Sequence, residues 1–378
     1  MSPPATPEPS APSVADVHAT LGRIVDGHAD QFDLDQAVPP AVTAALAREG
    51  WLATQVPAEY GGQPLAAAAM GPLCEAFGHE SASLLSLLTV HSMVCHAIAR
   101  WGSPAQKDWW LARLAAGETL GAFALSEPEA GSDAKAVTTE MTRVGDALSL
   151  NGRKKWISFG QCAGLFLVVG KLDGKITTVL VPRETAGLSV TPIRNMLGFR
   201  SAMLAELQFD DCRLPRSNLI GSLDFGLAQV VGSVLGHGRF CIGWGAVGLA
   251  QASLDASVAY AQRRVQFGQP IGMHQLVQQK IADMVTDTRA ARLLCQAAAA
   301  QVDAGHPEMI MSTVIAKYFA ATAAERIATD AVQLHGANGC SDDFPVQRHL
   351  RDARILNLIE GTTQIQQVMI ARDALFRS

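Results

Sequence analysis

Three long, alanine-rich segments in the last part of the chain constrain the fold most. Their apolar residues recur at helical spacing over Ala246–Arg263, Gln275–Asp303 and Pro307–Leu334. Helices of this length bury their apolar faces most readily by packing side by side. The pattern therefore predicts an up-and-down helical bundle in this part of the chain.

The chain before this bundle divides into a helical block and a strand block. Apolar residues recur at helical spacing from Val14 to about Gly117. From Gly121 to about Gly221, short alternating segments are separated by turn dipeptides. Asn151-Gly152 is the strongest hairpin signal, and Asp173-Gly174 is another. Strands at this spacing favour a small antiparallel barrel or sandwich over βαβ units.

We therefore predict a mainly α protein with a central β-domain. The predicted parts are a disordered tail (1–13), an N-terminal helical domain (14–118), a middle β-domain (119–222) and a C-terminal helical bundle (223–378). The segment Met1–Pro12 holds five prolines and no basic residue, a composition that is typical of a disordered tail and not of a signal peptide.

Charge and composition argue against several classes of protein. The chain has 30 Lys+Arg against 35 Asp+Glu, whereas a nucleic-acid-binding protein needs a basic surface. Its seven cysteines are widely spaced without a Cys-x-x-Cys pair, which argues against a disulfide framework and a zinc ribbon. There is no HExxH motif, so we predict no metal site. We see no apolar run of about 18 residues and predict a cytoplasmic protein without a membrane span.

Two segments of the strand block can carry chemistry. Phe123–Asp133 (FALSEPEAGSD) is a tight turn whose N–H groups can approach an anion or a polarised ring carbonyl; the alternative is a domain-linking loop. In Lys155–Ser158 (KWIS), a tryptophan that can stack on a planar cofactor precedes a hydroxyl on the same face. The alternative there is an ordinary core tryptophan.

Two further segments lie in the helical bundle. Gln262–Gln275 carries two arginines at the end of a helix. They can bind phosphate there, or they can simply be cations that the helix dipole favours at this end. In Ile355–Arg372, Glu360 follows an apolar run and precedes Gly361. Apolar surroundings raise the pKa of a carboxyl group and make it a competent base near neutral pH. The alternative is an anion that is favoured by the following helix N-terminus.

Together and in this order, the four segments resemble the acyl-CoA dehydrogenase family over nearly the whole chain. The most specific matches are Ser126–Asp133 (SEPEAGSD), Lys155–Ser158, Arg264-x-x-Phe267-Gly268 and Glu360–Gln366 (EGTTQIQ). The resemblance implies an N-terminal helical domain, a middle β-domain and a C-terminal four-helix bundle. It also implies bound FAD, a homodimer or homotetramer, and an electron-accepting partner flavoprotein. Family members remove a proton from the α-carbon of an acyl thioester, and the β-hydrogen leaves as hydride to the flavin.

The resemblance also assigns roles to individual residues. Glu360 matches the catalytic base, and Gly238, which matches the position that carries the base in some members, has no acid to offer. Residues matched to flavin contacts are Phe123, Leu125, Ser126, Gly131, Ser132, Trp156, Ser158, Arg264, Phe267, Gln275, Gln333, Gly336, Thr362 and Gln364. Residues matched to the substrate site are Ser132, Arg239, Trp244, His91, Ile359 and Gly361. Arg264 and its neighbours match a patch that contacts the FAD of the adjoining subunit.

Departures from the family pattern concern the acyl group. Trp244 stands where members that take long chains have small residues, so we expect a short acyl pocket. His91, Ser92 and His96 favour a polar acyl group or form a structural cluster. The run from Gly238 to Gly248 is similar to dehydrogenases of polyketide extender-unit pathways, such as the methoxymalonyl pathway, which act on an oxygenated acyl group on an acyl carrier protein.

Three alternatives to this interpretation stay open. The first is a short-chain acyl-CoA dehydrogenase of fatty-acid or branched-chain catabolism. The second is a flavin-dependent oxidase or monooxygenase on the same fold. The third is a non-catalytic homologue, against which the retention of Glu360 and Arg239 argues.

Overall fold

The computed structural model describes residues 14–222 and 226–376, so the predicted tail at 1–13 lies outside the described residues. Six helices precede the sheet: α1 Val14–Val25, α2 Ala29–Asp35, α3 Pro40–Arg48, α4 Ala67–Glu80, α5 Ala82–Trp101 and α6 Pro104–Ala115. The next elements are the strands β1 Gly121–Ala124, β2 Glu140–Val144, β3 Ala147–Ile157, β4 Leu165–Leu172, β5 Lys175–Pro182, β6 Leu188–Pro192, β7 Ala205–Pro215 and β8 Leu219–Ile220.

The helical bundle begins after a π-helical turn at Gly226–Val231. Its elements are α7 Gly232–Arg263, the short hairpin β9 Val265–Gln266 and β10 Gln269–Pro270, α8 Gln275–Asp303, α9 Met309–His335, α10 Val346–Leu356 and α11 Thr363–Phe376. The predicted start of the first long helix at Ala246 was too late. Glycines between Gly232 and Gly245 weaken the helical signal, but packing against neighbouring helices overrides it.

Helix α5 forms the centre of the N-terminal part. It has 20 residues and is apolar enough to cross a membrane, although 89% of its most apolar window is buried within the protein. The side chain of Ser81 caps its first turn by accepting the N–H of Leu84 at 3.4 Å. This helix was not predicted from the sequence as an apolar segment of membrane-spanning length. Because α5 is covered by protein on nearly all sides, we interpret it as a core helix.

The β-domain is a mixed sheet and not the antiparallel barrel or sandwich that the sequence predicted. Its strand order is β6-β7-β3-β2-β4-β5-β8, and β1 pairs with β4 beside this path. Strand β4 pairs in parallel with β1 and with β2. The described strands do not close into a barrel. The two parallel pairings require longer connections between strands, and the spacing of alternating segments does not reveal them.

The predicted hairpin at Asn151-Gly152 is also wrong, because both residues lie inside β3. The pairing of β3 with β7 shifts register at this point, so Gly152 occupies a β-bulge with φ 144°. A Cβ atom on Gly152 would lie 2.7 Å from Cα of Thr139. Close approach of the preceding loop explains the glycine here. The hairpin predicted at Asp173-Gly174 is confirmed, and it joins β4 to β5.

Helix α7 is the axis of the bundle and packs against α4, α5, α8 and α9. Glycines permit its closest contact, which is with α4. A Cβ atom on Gly248 would lie 1.9 Å from the carbonyl oxygen of Glu75, and one on Gly78 would lie 2.1 Å from that of Gly245. The N-terminal helices are thereby fixed against the bundle, and the turn between α10 and α11 comes to lie beside α7.

Candidate active site

Glu360 lies in the turn between α10 and α11. Both Glu360 and Gly361 have positive φ, 53° and 89°, a conformation that a non-glycine residue adopts only when its surroundings enforce it. Oε2 of Glu360 is buried and has no hydrogen-bond partner among the described residues. Burial raises the pKa of this carboxyl group to about 7, against the opposing effect of Arg239 and Lys317. The group can therefore accept a proton near neutral pH.

Gly238 of α7 faces this carboxylate. A Cβ atom on Gly238 would lie 2.3 Å from Oε2 of Glu360 and 3.1 Å from Sδ of Met93. The next residue, Arg239, donates from Nε to the carbonyl oxygen of Glu360 at 3.2 Å. Arg239 was predicted to contact substrate, and its hydrogen bond here holds the main chain of the candidate base.

A polar cluster of Ser92, His96, His237 and Cys241 lies between α5 and α7. Nε2 of His237 is 2.8 Å from Oγ of Ser92 and 3.6 Å from Sγ of Cys241. The His237 ring stacks on that of His96 at 5.5 Å. Burial disfavours the charged imidazole, but Cys241 and Glu360 together raise the pKa of His237. Because His237 precedes Gly238, this cluster adjoins the base.

The sequence did not single out His237, although it stands directly before the matched Gly238-Arg239 pair. His91, in contrast, was predicted to contact substrate and is fully buried against the sheet. Its Nδ1 accepts the N–H of Gly121 at 3.1 Å, and burial lowers the pKa of the ring to about 4. This placement does not support a substrate contact, because a neutral His91 ties α5 to β1.

Trp244 is buried between α7 and α4. A Cβ atom on Gly71 would lie 2.4 Å from Cε2 of Trp244, so the indole packs directly on the main chain of α4. Its Nε1 is buried without a hydrogen-bond partner among the described residues. The ring fills the space between these two helices.

The turn at Ser126–Asp133 is held by a buried ion pair that was not predicted from the sequence. Nζ of Lys154 lies 2.7 Å from Oε1 of Glu127 and also donates to the carbonyl oxygen of Leu125 at 2.8 Å. Glu127 accepts the N–H groups of Thr138 and Thr139 as well. Burial opposes ionisation of Glu127, but these donors lower its pKa to about 2. The turn is therefore rigidly fixed to β3.

The two predicted cofactor segments of the β-domain lie side by side. The N–H of Lys155 donates to the carbonyl oxygen of Ser126 at 2.9 Å. Trp156 has φ 66° and is 47% exposed, an unusual state for so large a ring. A Cβ atom on Gly131 would meet nothing within 4 Å. An open indole face next to a turn with free space fits a planar ring cofactor.

The other predicted residues of this region are placed as follows. Phe123 is buried in β1, Leu125, Ser126 and Ser158 are partly buried, and Ser132 is exposed. Oγ of Thr362 accepts the N–H of Ile365 at 3.3 Å and thus caps α11, whereas Gln364 is exposed and Ile359 partly buried.

A third group of predicted residues lies on the surface of the bundle. Arg264 directly follows α7, Phe267 forms the tip of the β9–β10 hairpin with φ 52°, and Gln275 begins α8. The Phe267 ring is 94% exposed. Gln333 and Gly336 lie at the end of α9. A groove of about 460 Å³ adjoins Arg264 and includes Tyr260, His335 and Asn338 in its lining. Exposed apolar surface of this kind is typical of an interaction site.

One group of potential metal ligands occurs among the described residues. Ligand atoms of His18, His79 and Glu80 lie within 4.8 Å of one another. The ring nitrogens of His79 lie 3.4 Å from Glu80 and 3.3 Å from Asp255. Burial disfavours protonation, but these two carboxylates raise the pKa of His79 to about 9. A protonated His79 between two carboxylates accounts for the arrangement, and we assign no metal to it.

Three family models match successive parts of the chain. They describe the N-terminal domain (residues 14–118), the middle domain (122–212) and the C-terminal domain (225–375) of acyl-CoA dehydrogenases. The chain belongs to the acyl-CoA dehydrogenase family. This acyl-CoA dehydrogenase is an oxidoreductase of the class that acts on CH–CH groups, and its cofactor is FAD. The fold class implied by the sequence resemblance is confirmed.

Relatives within the family differ in what their names describe. The human mitochondrial short-chain specific acyl-CoA dehydrogenase is 36% identical over 92% of this chain and 85% of its own. The solved structure of FkbI, described as serving biosynthesis of the methoxymalonyl extender unit of the polyketide Fk520, is 32% identical over 95% of this chain and 99% of its own (TM-score 0.88). The prolyl acyl carrier protein oxidase AnaB is 25% identical over 95% and 98% (TM-score 0.88).

Proposed function

We propose that this acyl-CoA dehydrogenase oxidises a short, oxygenated acyl thioester on an acyl carrier protein, in the supply of polyketide extender units. The observation that carries the chemistry is the carboxyl group of Glu360. Its Oε2 is buried beside Gly238 and has no hydrogen-bond partner in the part of the chain that the structure describes, and its pKa is about 7. A base in this state can accept a proton from the α-carbon of a thioester without first breaking a hydrogen bond.

The roles of the remaining residues follow from their contacts. Arg239 holds the carbonyl oxygen of Glu360, so the base keeps its orientation while it receives the proton. Trp156, Ser126 and Ser158 would hold the flavin ring, since an exposed indole lies beside a rigidly fixed turn. When bound, FAD would supply the acceptor for the β-hydrogen, and a partner flavoprotein would take up the electrons.

The cluster around His237 supports an oxygenated acyl group. Its polar atoms adjoin the base through Gly238, where an aliphatic chain would cover them at a cost in free energy. A hydroxyl or carbonyl oxygen on the acyl group can instead form a hydrogen bond within this cluster, in exchange for the contact between Ser92 and His237. Trp244 fills the space between α7 and α4 and thus favours a short chain.

The resemblance to FkbI and AnaB supports a carrier protein as the bearer of the acyl group. The human relative, at slightly higher identity, favours simple acyl-CoA substrates and short-chain catabolism as the second candidate. We further infer a cytoplasmic homodimer or homotetramer in which Arg264 contacts the FAD of the adjoining subunit, because Arg264 adjoins the exposed Phe267 surface.

Anaerobic flavin absorbance tests the substrate. We would titrate the purified protein with short acyl-CoAs, and then with the same and with hydroxylated acyl groups on an acyl carrier protein. Bleaching by hydroxylated carrier-bound groups alone is the expected result. Bleaching by simple acyl-CoAs would establish the catabolic candidate instead. Fast reoxidation by oxygen after bleaching would identify an oxidase.

Replacing Glu360 by Gln tests the base. The variant should retain FAD and the wild-type Tm but lose at least about a thousandfold in the rate of flavin reduction, because only the proton-accepting oxygen is removed. Stopped-flow absorbance measures this rate. Turnover at the wild-type rate would show that another group is the base.

A further inference from the structure

Lys317 is a fully buried lysine on α9, with 0% of its surface exposed. Its Nζ donates to the carbonyl oxygen of Gly361 at 3.1 Å, the one hydrogen bond that this amine forms among the described residues. Fully buried lysines are rare, because an ammonium group loses its hydration on burial. Burial lowers the pKa of Lys317 to about 7, against the opposing effect of Glu360. A neutral side chain would avoid this cost, so the contacts of the Lys317 amine are of interest.

Lys317 is one of three donors that hold the turn carrying the candidate base. The carbonyl oxygen of Gly361 also accepts Nε2 of Gln366 at 3.0 Å. The carbonyl oxygen of Glu360 accepts Nε of Arg239 at 3.2 Å. Side chains from α7, α9 and α11 thus fix two successive carbonyl groups at a point where both residues have positive φ. The turn is strained, and these hydrogen bonds keep it in place.

The charge of Lys317 also acts on Glu360. The groups that influence this carboxylate are Arg239, His237 and Cys241 from α7 and Lys317 from α9. Arg239, Lys317 and His237 favour the carboxylate, whereas burial and Cys241 disfavour it. Arg239 engages the main chain of Glu360 and not its carboxylate oxygens. Lys317 is thus one of two strong cations that favour ionised Glu360.

We propose that Lys317 is a positioning residue for Glu360: its ammonium group fixes the carbonyl of Gly361 and supplies the positive charge that keeps the nearby carboxylate ionised. This inference rests on the proposed function only in naming Glu360 as the base. Lys317 itself touches neither substrate nor flavin in this role.

The variant Lys317→Met removes the charge and the donor at nearly constant length. We expect the acidic limb of the pH profile for flavin reduction to move up by about one to three units, because an opposite charge near a carboxylate lowers its pKa by that amount. At pH 6.5 the rate should fall by about tenfold or more, and at high pH it should recover in part. Lys317→Arg should restore most of the profile. Lys280→Met, which removes a partly exposed lysine of α8, should leave it unchanged.

Infrared titration of the Glu360 carboxyl band in the FAD-bound protein provides a readout without turnover. The difference between wild type and Glu360→Gln isolates this band, and its midpoint should rise in Lys317→Met. An unchanged midpoint, or a rate lowered equally at every pH, would overturn the proposal. If Lys317→Met does not fold, Lys317→Gln carries the same measurement. Turnover by Glu360→Gln would refute the proposed base, and the titration would still report whether Lys317 acts on Glu360.

Discussion

Gly238 has no side chain, and the carboxylate of Glu360 occupies the space that a side chain would fill. Oε2 lies 2.3 Å from the position of a Cβ atom there, far inside van der Waals contact. Gly236, two residues earlier on the same helix, has nothing within 4 Å of its Cβ position. The two glycines share a helix and differ only in what they face, so they form a matched pair.

We expect Gly238→Ala to displace the carboxylate and to lower the rate of flavin reduction by about a hundredfold, the usual effect of a displacement near 1 Å at a reacting group. Gly236→Ala should leave the rate within about twofold of wild type. Both variants should fold, because alanine favours a helix. Equal rates for the two variants would contradict the placement of Glu360 against α7. Stopped-flow rates and Tm are the measurements.

His79 makes stability depend on pH. Its pKa in the folded protein is about 9, above its ordinary value of 6.5, because Asp255 and Glu80 favour the protonated ring against burial. The stabilisation is fully present below about pH 6.5 and is lost as pH rises towards 9. The Tm difference between wild type and His79→Gln should therefore be large at pH 6 and small at pH 9.5. A constant difference would show that His79 acts through packing. Repeating the melts with a chelator tests for bound metal at the same time.

At the scale of elements, strand β3 carries a buried ion pair and an exposed ion pair at neighbouring residues. Lys154 and Glu127 are buried, with side chains 0% and 2% exposed. Arg153, one residue earlier, pairs with Glu206 on the surface and is 54% exposed. Removing one partner of a buried pair leaves an uncompensated charge, whereas an exposed pair contributes little.

Lys154→Met should lower the free energy of unfolding by about 3 kcal/mol or more. Since Lys154 also holds Leu125 next to the predicted flavin turn, the flavin-to-protein ratio should fall as well. Arg153→Met should change the free energy of unfolding by less than about 1 kcal/mol. Denaturant unfolding and flavin absorbance measure both effects. Full flavin retention in Lys154→Met would argue against a role of this turn in holding the cofactor.

The elements that the sequence predicted are those whose signals are local. The long helices repeat their apolar residues at a fixed spacing, and Asp173-Gly174 marks its hairpin directly. The turn prediction at Asn151-Gly152 was wrong because Gly152 makes room for Thr139, which packs on it from a separate loop. Lys154 and Lys317 were missed for a related reason. Their burial depends on partners that lie 27 and 44 residues away in the sequence. Without knowledge of these partners, a lysine is predicted to be exposed.

At the scale of the whole molecule, apolar side chains are gathered on one part of the bundle surface. The hairpin and the start of α8 expose Val265, Phe267, Met273 and Leu276 to at least half of their surface. This surface adjoins Arg264, which the resemblance assigns to the FAD of another subunit. A monomer would leave both the apolar surface and the arginine in solvent.

We therefore expect Phe267→Asp to shift the protein towards smaller species and to lower its flavin content together. Light scattering after gel filtration and the flavin-to-protein ratio measure the two effects. Trp109→Asp is the control, since it removes an exposed ring from α6. Arg264→Ala should lower flavin content with a smaller effect on mass. Full assembly and full flavin content in Phe267→Asp would rule out a shared site.

The contact between Gly238 and Glu360 also limits how such an enzyme can evolve. The space between residues 238 and 360 holds one carboxylate, and two segments that are distant in the sequence border this space. An acid introduced at 238 would collide with Glu360, and loss of Glu360 alone would leave no acid there. We therefore expect each single step to be harmful, whereas Gly238→Glu combined with Glu360→Gly removes the collision and retains an acid beside α7. A transfer of the base from one of these segments to the other would therefore require both substitutions together.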